Sequence, residues 1–188
     1  MTNFINDINK ALPILHAGGL ILYPTDTIWG IGCDATNADA VNKIFKLKKR
    51  RDSKSMIVLI GDKKELKNYV QHIPSSLEKI YSGTRPTTII YNEGINLAKN
   101  VLSLDGSIAI RIVMDAFCIS LINAFGKPIV STSANISGSP SPGNFTAIED
   151  EIKKGVDYIV RHRQDDLNLG NPSSILKLRK DGKTDIIR

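Results

Sequence analysis

The chain has 188 residues, of which 41% are hydrophobic and 23% charged, and its formal net charge at neutral pH is +6. This composition predicts one globular domain with its own core and excludes a long disordered chain. The apolar runs are strand-sized and the N-terminal residues lack a secretory pattern, so we expect no membrane span and no signal peptide. The positive charge favours an anionic partner, either a nucleotide or a nucleic acid.

Cysteine and histidine usage predicts neither a disulfide nor a metal centre. Cys33 and Cys118 form no CxxC pair, and the three histidines are scattered along the chain. A reducing cytoplasm is therefore the expected location.

Hydrophobic spacing and turn residues predict alternating helices and strands. A helix is expected over residues 5–15, with Pro13 unfavourable in its middle, and a strand over 20–23 that ends at Pro24. Further helices are predicted over 39–49, 66–71, 75–81, 116–125 and 146–154. Further strands are predicted over 56–60, 88–91, 107–113, 128–131, 158–160 and 174–178. This alternation indicates an α/β layered domain with a mixed sheet.

The first candidate site is a basic strip over residues 46–54, which begins on the last turn of a predicted helix. Lysine and arginine supply the converging donors that a phosphate chain needs. Cations at a helix C-terminus also complement the helix dipole, so spacing alone favours an ordinary solvated helix end.

The second candidate is the hydroxyl- and amide-rich run over residues 131–135, which follows the apolar pair Ile129 and Val130. Small polar residues at the carboxyl edge of a strand lie where ligands bind in α/β sheets. A turn or a helix cap is equally compatible with these residue types.

Two single residues are further candidates. Trp29, the only tryptophan, lies in a polar, glycine-flanked segment and is either a pocket wall or a core plug. Arg111 lies in an apolar strand, where a charge is costly unless it is paired. It either binds an anionic ligand or pairs with an internal acid such as Asp26 or Asp34.

Several common sites are excluded because their motifs are absent. The chain has no P-loop, no strand-linked dinucleotide-binding fingerprint and no nucleophile elbow. It also lacks the aromatic RNA-recognition signature and the C₂H₂ zinc-finger spacing.

Taken together and in this order, these segments resemble the YrdC-like family, which includes the threonylcarbamoyl-AMP synthases of the Sua5 and TsaC types. The matching pieces span nearly the whole chain and comprise residues 23–32, Lys48 and Arg50 with Lys54, and residues 108–111, 127–138 and 172–174. The stretch from Ser131 to Gly138 is highly specific, and its combination with the Lys-x-Arg pair is more so.

The resemblance implies a single YrdC-like domain over residues 1–188, with a twisted mixed sheet, flanking helices and a concave basic cavity. It implies a nucleotidyltransferase that converts L-threonine, bicarbonate and ATP to threonylcarbamoyl-AMP and pyrophosphate, for threonylcarbamoyladenosine formation at tRNA position 37. ATP is then a co-substrate accompanied by Mg²⁺. The implied macromolecular partners are tRNA or double-stranded RNA and downstream threonylcarbamoyl transferase proteins.

The resemblance also implies roles for particular residues, without a protein-held metal. A catalytic tetrad around the nucleotide comprises Lys48, Arg50, Ser133 and Asn135. ATP contacts are expected from Lys54, Thr88, Ser131, Ser141 and Arg188. The substrate-binding residues are Thr27, which would hold threonine, and Trp29, Arg111 and Ser173, which would line the cavity.

The chain departs from the family pattern at three positions. Arg85 stands where relatives often have glycine, which puts the role of Thr88 in doubt. Leu59 stands where some relatives have histidine, which removes one threonine contact, and Trp29 replaces a usual tyrosine or phenylalanine.

Two other functions fit the sequence. The first is a non-catalytic module that holds double-stranded RNA or tRNA by its phosphates on a basic concave surface. The second is an enzyme of the same fold that acts on another carbamoyl or acyl nucleotide.

Overall fold

The computed structural model describes residues 4–49 and 56–188. Six α-helices lie within these ranges: α1 Ile5–His16, α2 Ala38–Leu47, α3 Leu66–Tyr69, α4 Glu78–Tyr81, α5 Ala116–Phe125 and α6 Asp150–Lys154. Nine strands lie there too: β1 Ile21–Tyr23, β2 Gly30–Gly32, β3 Ile57–Ile60, β4 Thr87–Tyr91, β5 Ile108–Ile112, β6 Ile129–Ser133, β7 Tyr158–Ile159, β8 Ser174–Leu178 and β9 Thr184–Ile186. No helix in the two ranges is long and apolar enough to cross a bilayer.

The strands form one sheet in the order β7-β1-β2-β6-β3-β5-β4-β8-β9. The pairs β1–β7, β3–β5 and β4–β8 are parallel, and the other neighbouring pairs are antiparallel. The predicted mixed sheet with flanking helices is therefore confirmed.

Two of the three longer helices, α2 and α5, begin where the sequence supplies a cap. Asn37 caps α2, because its Oδ1 accepts hydrogen bonds from the backbone N–H groups of Asp39 and Ala40. Asp115 caps α5 through Cys118 N at 2.9 Å, and Gly126 ends it with a φ of 72°. The helices predicted over 39–49 and 116–125 are confirmed.

Two predicted elements differ in their bounds, and two strands were not predicted. β6 continues to Ser133, so the hydroxyl run begins inside the strand and not after it. The predicted helix over 146–154 begins only at Asp150, because Asn144 Oδ1 holds the backbone N–H of Ala147 in a preceding turn. The strands β2 and β9 were not predicted; β2 begins and ends with glycine and offers no apolar alternation.

The core lies on both faces of the sheet because strand side chains alternate. Val58 and Ile60 of β3 face the cluster that includes Ile44 of α2. Leu59, between them, faces the second cluster, which includes Phe117 of α5 and residues of α1. Helices therefore cover both faces, and α1 and α5 lie together on one of them.

Candidate active site

A cavity of about 270 Å³ lies on the sheet face that α1 and α5 cover only in part. In β6, Ile129, Ser131 and Ser133 are two residues apart and share that face. Ile129 belongs to the apolar cluster beneath the helices, whereas Ser131 and Ser133 line the cavity. In β5, Ala109 and Arg111 line the cavity in the same way. The cavity is thus the uncovered end of a face whose other end is core.

Most of the predicted site residues meet in this cavity. Eight of them line it: Thr27, Trp29, Arg111, Ser131, Ser133, Ser141, Ser173 and Arg188. Lys48, Thr88 and Asn135 are described but do not line it directly. Arg50 and Lys54 lie outside the described residues.

Lys48 connects the end of α2 to the end of β6. Its side chain is buried, and its Nζ donates hydrogen bonds to the carbonyl oxygens of Ser133 and Asn135. The Asn135 amide nitrogen in turn donates to the carbonyls of Ile136 at 2.9 Å and Ser139 at 2.7 Å. Three members of the predicted tetrad are therefore in mutual contact, with the ammonium charge held behind the serine that lines the cavity.

Arg111 carries a buried positive charge to the cavity wall. It is 3% exposed, and its Nη2 lies 3.1 Å from Asp26 Oδ1 and 3.4 Å from Thr25 Oγ1. Its Nε is buried without a hydrogen-bond partner among residues 4–49 and 56–188. Of the two acids considered from sequence, Asp26 is the partner, since Asp34 pairs with Lys127 at 2.8 Å. Asp26 and Thr25 thus engage Nη2, and the guanidinium brings a buried positive charge to the cavity wall.

Thr27 is held by its neighbour Thr25, which the sequence reasoning missed. The two Oγ1 atoms are 2.9 Å apart, and Thr25 Oγ1 also accepts from Thr27 N at 3.1 Å. Thr25 Oγ1 donates to the carbonyl of Ile28 at 2.8 Å. The spacing of two threonines around Asp26 was the available signal, because a threonine hydroxyl in a turn can accept from the backbone N–H two residues later.

Trp29 satisfies both interpretations offered by the sequence. It is 5% exposed, and its ring packs on Phe145 with centroids 4.9 Å apart. One edge still lines the cavity. The aromatic wall is therefore anchored in the core.

Thr88 reaches the cavity only through Ser173. Their hydroxyl oxygens are 2.8 Å apart, and the Arg188 guanidinium donates two hydrogen bonds to the Ser173 carbonyl. Arg85, the departure near Thr88, lines a separate cavity of about 50 Å³ that also contains Met114. The Arg85 side chain thus lines a different cavity from the one that Ser173 lines.

Gly170 permits a close backbone approach that the sequence reasoning also missed. A Cβ atom there would lie 1.9 Å from the Thr27 carbonyl oxygen, so only glycine fits without displacement. Its N–H donates to the Gly143 carbonyl at 3.1 Å. The segment around Gly170 therefore passes directly over the loop that carries Thr27.

The groups around the cavity suit binding of anions and polar groups. Burial raises the pKa of Tyr23, which lies next to the floor, well above its usual range and keeps the phenol neutral. In the described part of the chain, no cluster of three or more His, Cys, Asp or Glu side chains could hold a metal ion. The lining instead offers hydroxyl groups and guanidinium donors, which orient a ligand and stabilise negative charge.

Comparison with known proteins adds a family and a set of relatives. The family Sua5_yciO_yrdC, described as "Telomere recombination", matches residues 13–188. A protein named threonylcarbamoyl-AMP synthase from Hahella chejuensis is 33% identical over 171 residues, 89% of this chain and 91% of that protein. One of the same name from Stenotrophomonas maltophilia is 32% identical over 157 residues, 81% of this chain and 84% of that protein.

Solved structures share the fold. Sua5 of P. abyssi complexed with L-threonine superposes with a TM-score of 0.84 at 23% identity, over 96% of this chain and 53% of that one. The chain thus spans about half the length of that Sua5 protein. E. coli YciO superposes with a TM-score of 0.83 at 26% identity, over 97% of this chain and 88% of that one.

Proposed function

Because the chain belongs to the Sua5/YciO/YrdC family, we propose that it is a threonylcarbamoyl-AMP synthase of the nucleotidyltransferase class. It joins L-threonine, bicarbonate and ATP to give threonylcarbamoyl-AMP, pyrophosphate and water. The observation that carries this proposal is that eight of the residues predicted for this activity line one cavity. Relatives of this name along most of the chain favour the enzyme over an RNA-binding module.

The chemistry consists of two bond-forming steps. The threonine nitrogen attacks the carbon of bicarbonate, and loss of water leaves a carbamate. A carbamate oxygen then attacks the α-phosphorus of ATP, and the bond to the leaving pyrophosphate breaks. Such a reaction requires alignment of the reactants and fixed positive charge at the phosphates, without an enzyme nucleophile.

Different residues around the cavity supply the alignment of the reactants and the fixed positive charge. We assign Arg111 to an anionic group of the amino acid or its carbamate, because it brings a positive charge to the wall. Thr27 holds a polar group of the same substrate against the aromatic wall of Trp29. Lys48 acts by fixing the end of β6 and by placing its charge beside Ser133.

The remaining assignments concern ATP. Ser131 and Ser133 offer hydroxyl groups from the floor, and Ser141 and Arg188 offer donors from the rim. Thr88 contributes by holding the Ser173 hydroxyl. The proposed phosphate ligands carried over from the family motif alone are Arg50 and Lys54.

Mg²⁺ enters this proposal as part of the nucleotide substrate. The described lining provides hydroxyl groups, and the described residues form no acidic cluster. A hard cation is therefore held mainly by phosphate oxygens of ATP and by water. When bound there, it neutralises charge on the phosphates.

The wider assignments follow from the activity. We propose that residues 1–188 act as one domain, since both core clusters pack on the same sheet. The product is consumed in the cytoplasm by a threonylcarbamoyl transferase that modifies adenosine 37 of tRNA. Direct contact of this chain with tRNA is not required for its own reaction.

Pyrophosphate release tests the function. We expect release only when L-threonine, bicarbonate and ATP are all present, with each omission serving as a control. An RNA-binding module would instead show RNA affinity that falls steeply with salt and no substrate-dependent release. Pyrophosphate release that does not depend on threonine, or that occurs only with another amine or acyl group, would reject the assignment. It would instead indicate a different nucleotide-dependent enzyme.

A further inference from the structure

Thr25 does not line the cavity, yet it contacts two residues that do. It is buried, and its Oγ1 lies 2.9 Å from Thr27 Oγ1 and 3.4 Å from Arg111 Nη2. It thereby joins the loop after β1 to a residue of β5 that is 86 positions away. One hydroxyl group is thus shared by two elements of the proposed substrate site.

The direction of each hydrogen bond follows from the number of protons. A hydroxyl group has one proton to donate and two lone pairs. The Ile28 carbonyl can only accept, and it lies 2.8 Å from Thr25 Oγ1, so the Thr25 proton is directed there. The Thr27 backbone N–H donates to one Thr25 lone pair. The short contact between the two hydroxyl groups must therefore carry the proton of Thr27.

This arrangement determines what Thr27 presents to a ligand. With its proton donated to Thr25, the Thr27 oxygen has only lone pairs left for the cavity. Arg111 Nη2 makes the longest contact with Thr25 Oγ1, at 3.4 Å, and its guanidinium contributes positive charge at the cavity wall. The site therefore presents an acceptor at Thr27 and a positive charge at Arg111.

We propose that Thr25 is a positioning residue that fixes the Thr27 hydroxyl group as a hydrogen-bond acceptor and so selects an amino acid whose amine or hydroxyl group donates at that point. The inference rests on the proposed function, because it assigns a determinant of the amino-acid specificity of the same site. Thr25 acts by orienting Thr27 and does not itself line the cavity.

Trp29 provides the measurement, because it is the only tryptophan and it lines the cavity. Its fluorescence can be titrated with L-threonine and, separately, with ATP. The informative variants are Thr25→Val, which removes the hydroxyl group, and Thr25→Ser, which keeps it. Thr36→Val is a matched control, since it removes a hydroxyl group that bonds to Asp34 away from the cavity.

We expect Thr25→Val to raise the Kd for L-threonine about tenfold, because a freed Thr27 hydroxyl can turn its proton towards the ligand. Thr25→Ser and Thr36→Val should stay within about threefold of wild type, and the Kd for ATP within about twofold in all three. The double variant Thr25→Val, Thr27→Val should bind L-threonine no more weakly than Thr27→Val alone, since coupled residues are not additive.

The inference is overturned if Thr25→Val binds L-threonine like the wild type, if the two substitutions are additive, or if L-threonine and ATP are weakened equally. Failure of Thr25→Ser to restore affinity would also overturn it. A wild-type protein that binds ATP but no L-threonine would instead reject the proposed function, and this inference with it. The wild-type and variant titrations thus separate the two failures.

Discussion

The two ends of one sheet face differ in chemical character, because one is apolar core and the other is a polar cavity lining. In β6, Ile129 is fully buried beneath α1 and α5, whereas Ser131 and Ser133 on the same side line the cavity. One strand repeat, roughly 7 Å, separates core from site. The strand geometry is the same at both ends, and the covering layer differs. The site exists because the helices stop short of the end of the sheet.

The two ends also differ in energetic character. A buried aliphatic side chain at the covered end contributes about 1.5–3 kcal/mol to stability. At the open end, Arg111 pairs with Asp26, and the attraction is largely offset by the cost of removing both charges from water. We therefore expect substitutions at the covered end to change stability and substitutions at the open end to change activity.

Arg111→Met has the largest expected effect, because it should lower both activity and stability. It removes the positive charge from the cavity wall and leaves Asp26 without its ion-pair partner. We expect synthase activity to fall at least about 100-fold, and the free energy of unfolding to fall by about 3–5 kcal/mol. Pyrophosphate release and denaturant unfolding measure the two effects.

A second substitution distinguishes the two effects of Arg111→Met. Adding Asp26→Asn removes the unpaired charge, so the double variant should regain much of the lost stability without regaining activity. Recovery of activity in the double variant would show that Arg111 serves only to neutralise Asp26.

Ile129→Ala is the matching test at the covered end. Its side chain is fully buried, so the substitution should cost about 2–5 kcal/mol in the free energy of unfolding. At a temperature where the variant is folded, its kcat/KM should stay within about threefold of wild type. A larger loss of activity in the folded variant would mean that the two ends of the face are mechanically coupled.

Ser133→Ala should have the smallest effect of the three and should affect activity alone. The hydroxyl group lines the cavity, while the backbone carbonyl that accepts from Lys48 is retained. We expect kcat/KM to fall about tenfold, with the melting temperature within about 2 °C of wild type. A stability loss as large as that of Ile129→Ala would contradict the proposed role of the open end.

Local patterns predicted much of the fold. α2 and α5 were predicted from apolar spacing, and the structure adds a capping residue at the start of each, Asn37 and Asp115. β2 was missed because three residues that include two glycines carry no periodic signal. They pair only because β1 and β6 lie on either side of them.

The sequence indicated which residues line the cavity but not which of them contact one another. The motifs named the residues that line the cavity, but they could not choose between Asp26 and Asp34 as the partner of Arg111. That choice depends on how the loop after β1 lies against β5, and no local pattern encodes it. The role of Gly170 was missed for the same reason, because its contact with Thr27 is distant in sequence, whereas Thr25 was missed although it contacts Thr27 two residues away.

The floor of the cavity lies in the interior of the sheet. β3, β5 and β6 each have a neighbouring strand on both sides, so their backbones are hydrogen-bonded along both edges. A ligand therefore meets a floor that is ordered before it arrives, and binding there forfeits little conformational entropy. The entropy lost on binding falls on the loops that carry Thr27, Ser141 and Ser173. Affinity in this site can therefore be changed by stiffening or loosening those loops while every floor contact stays the same.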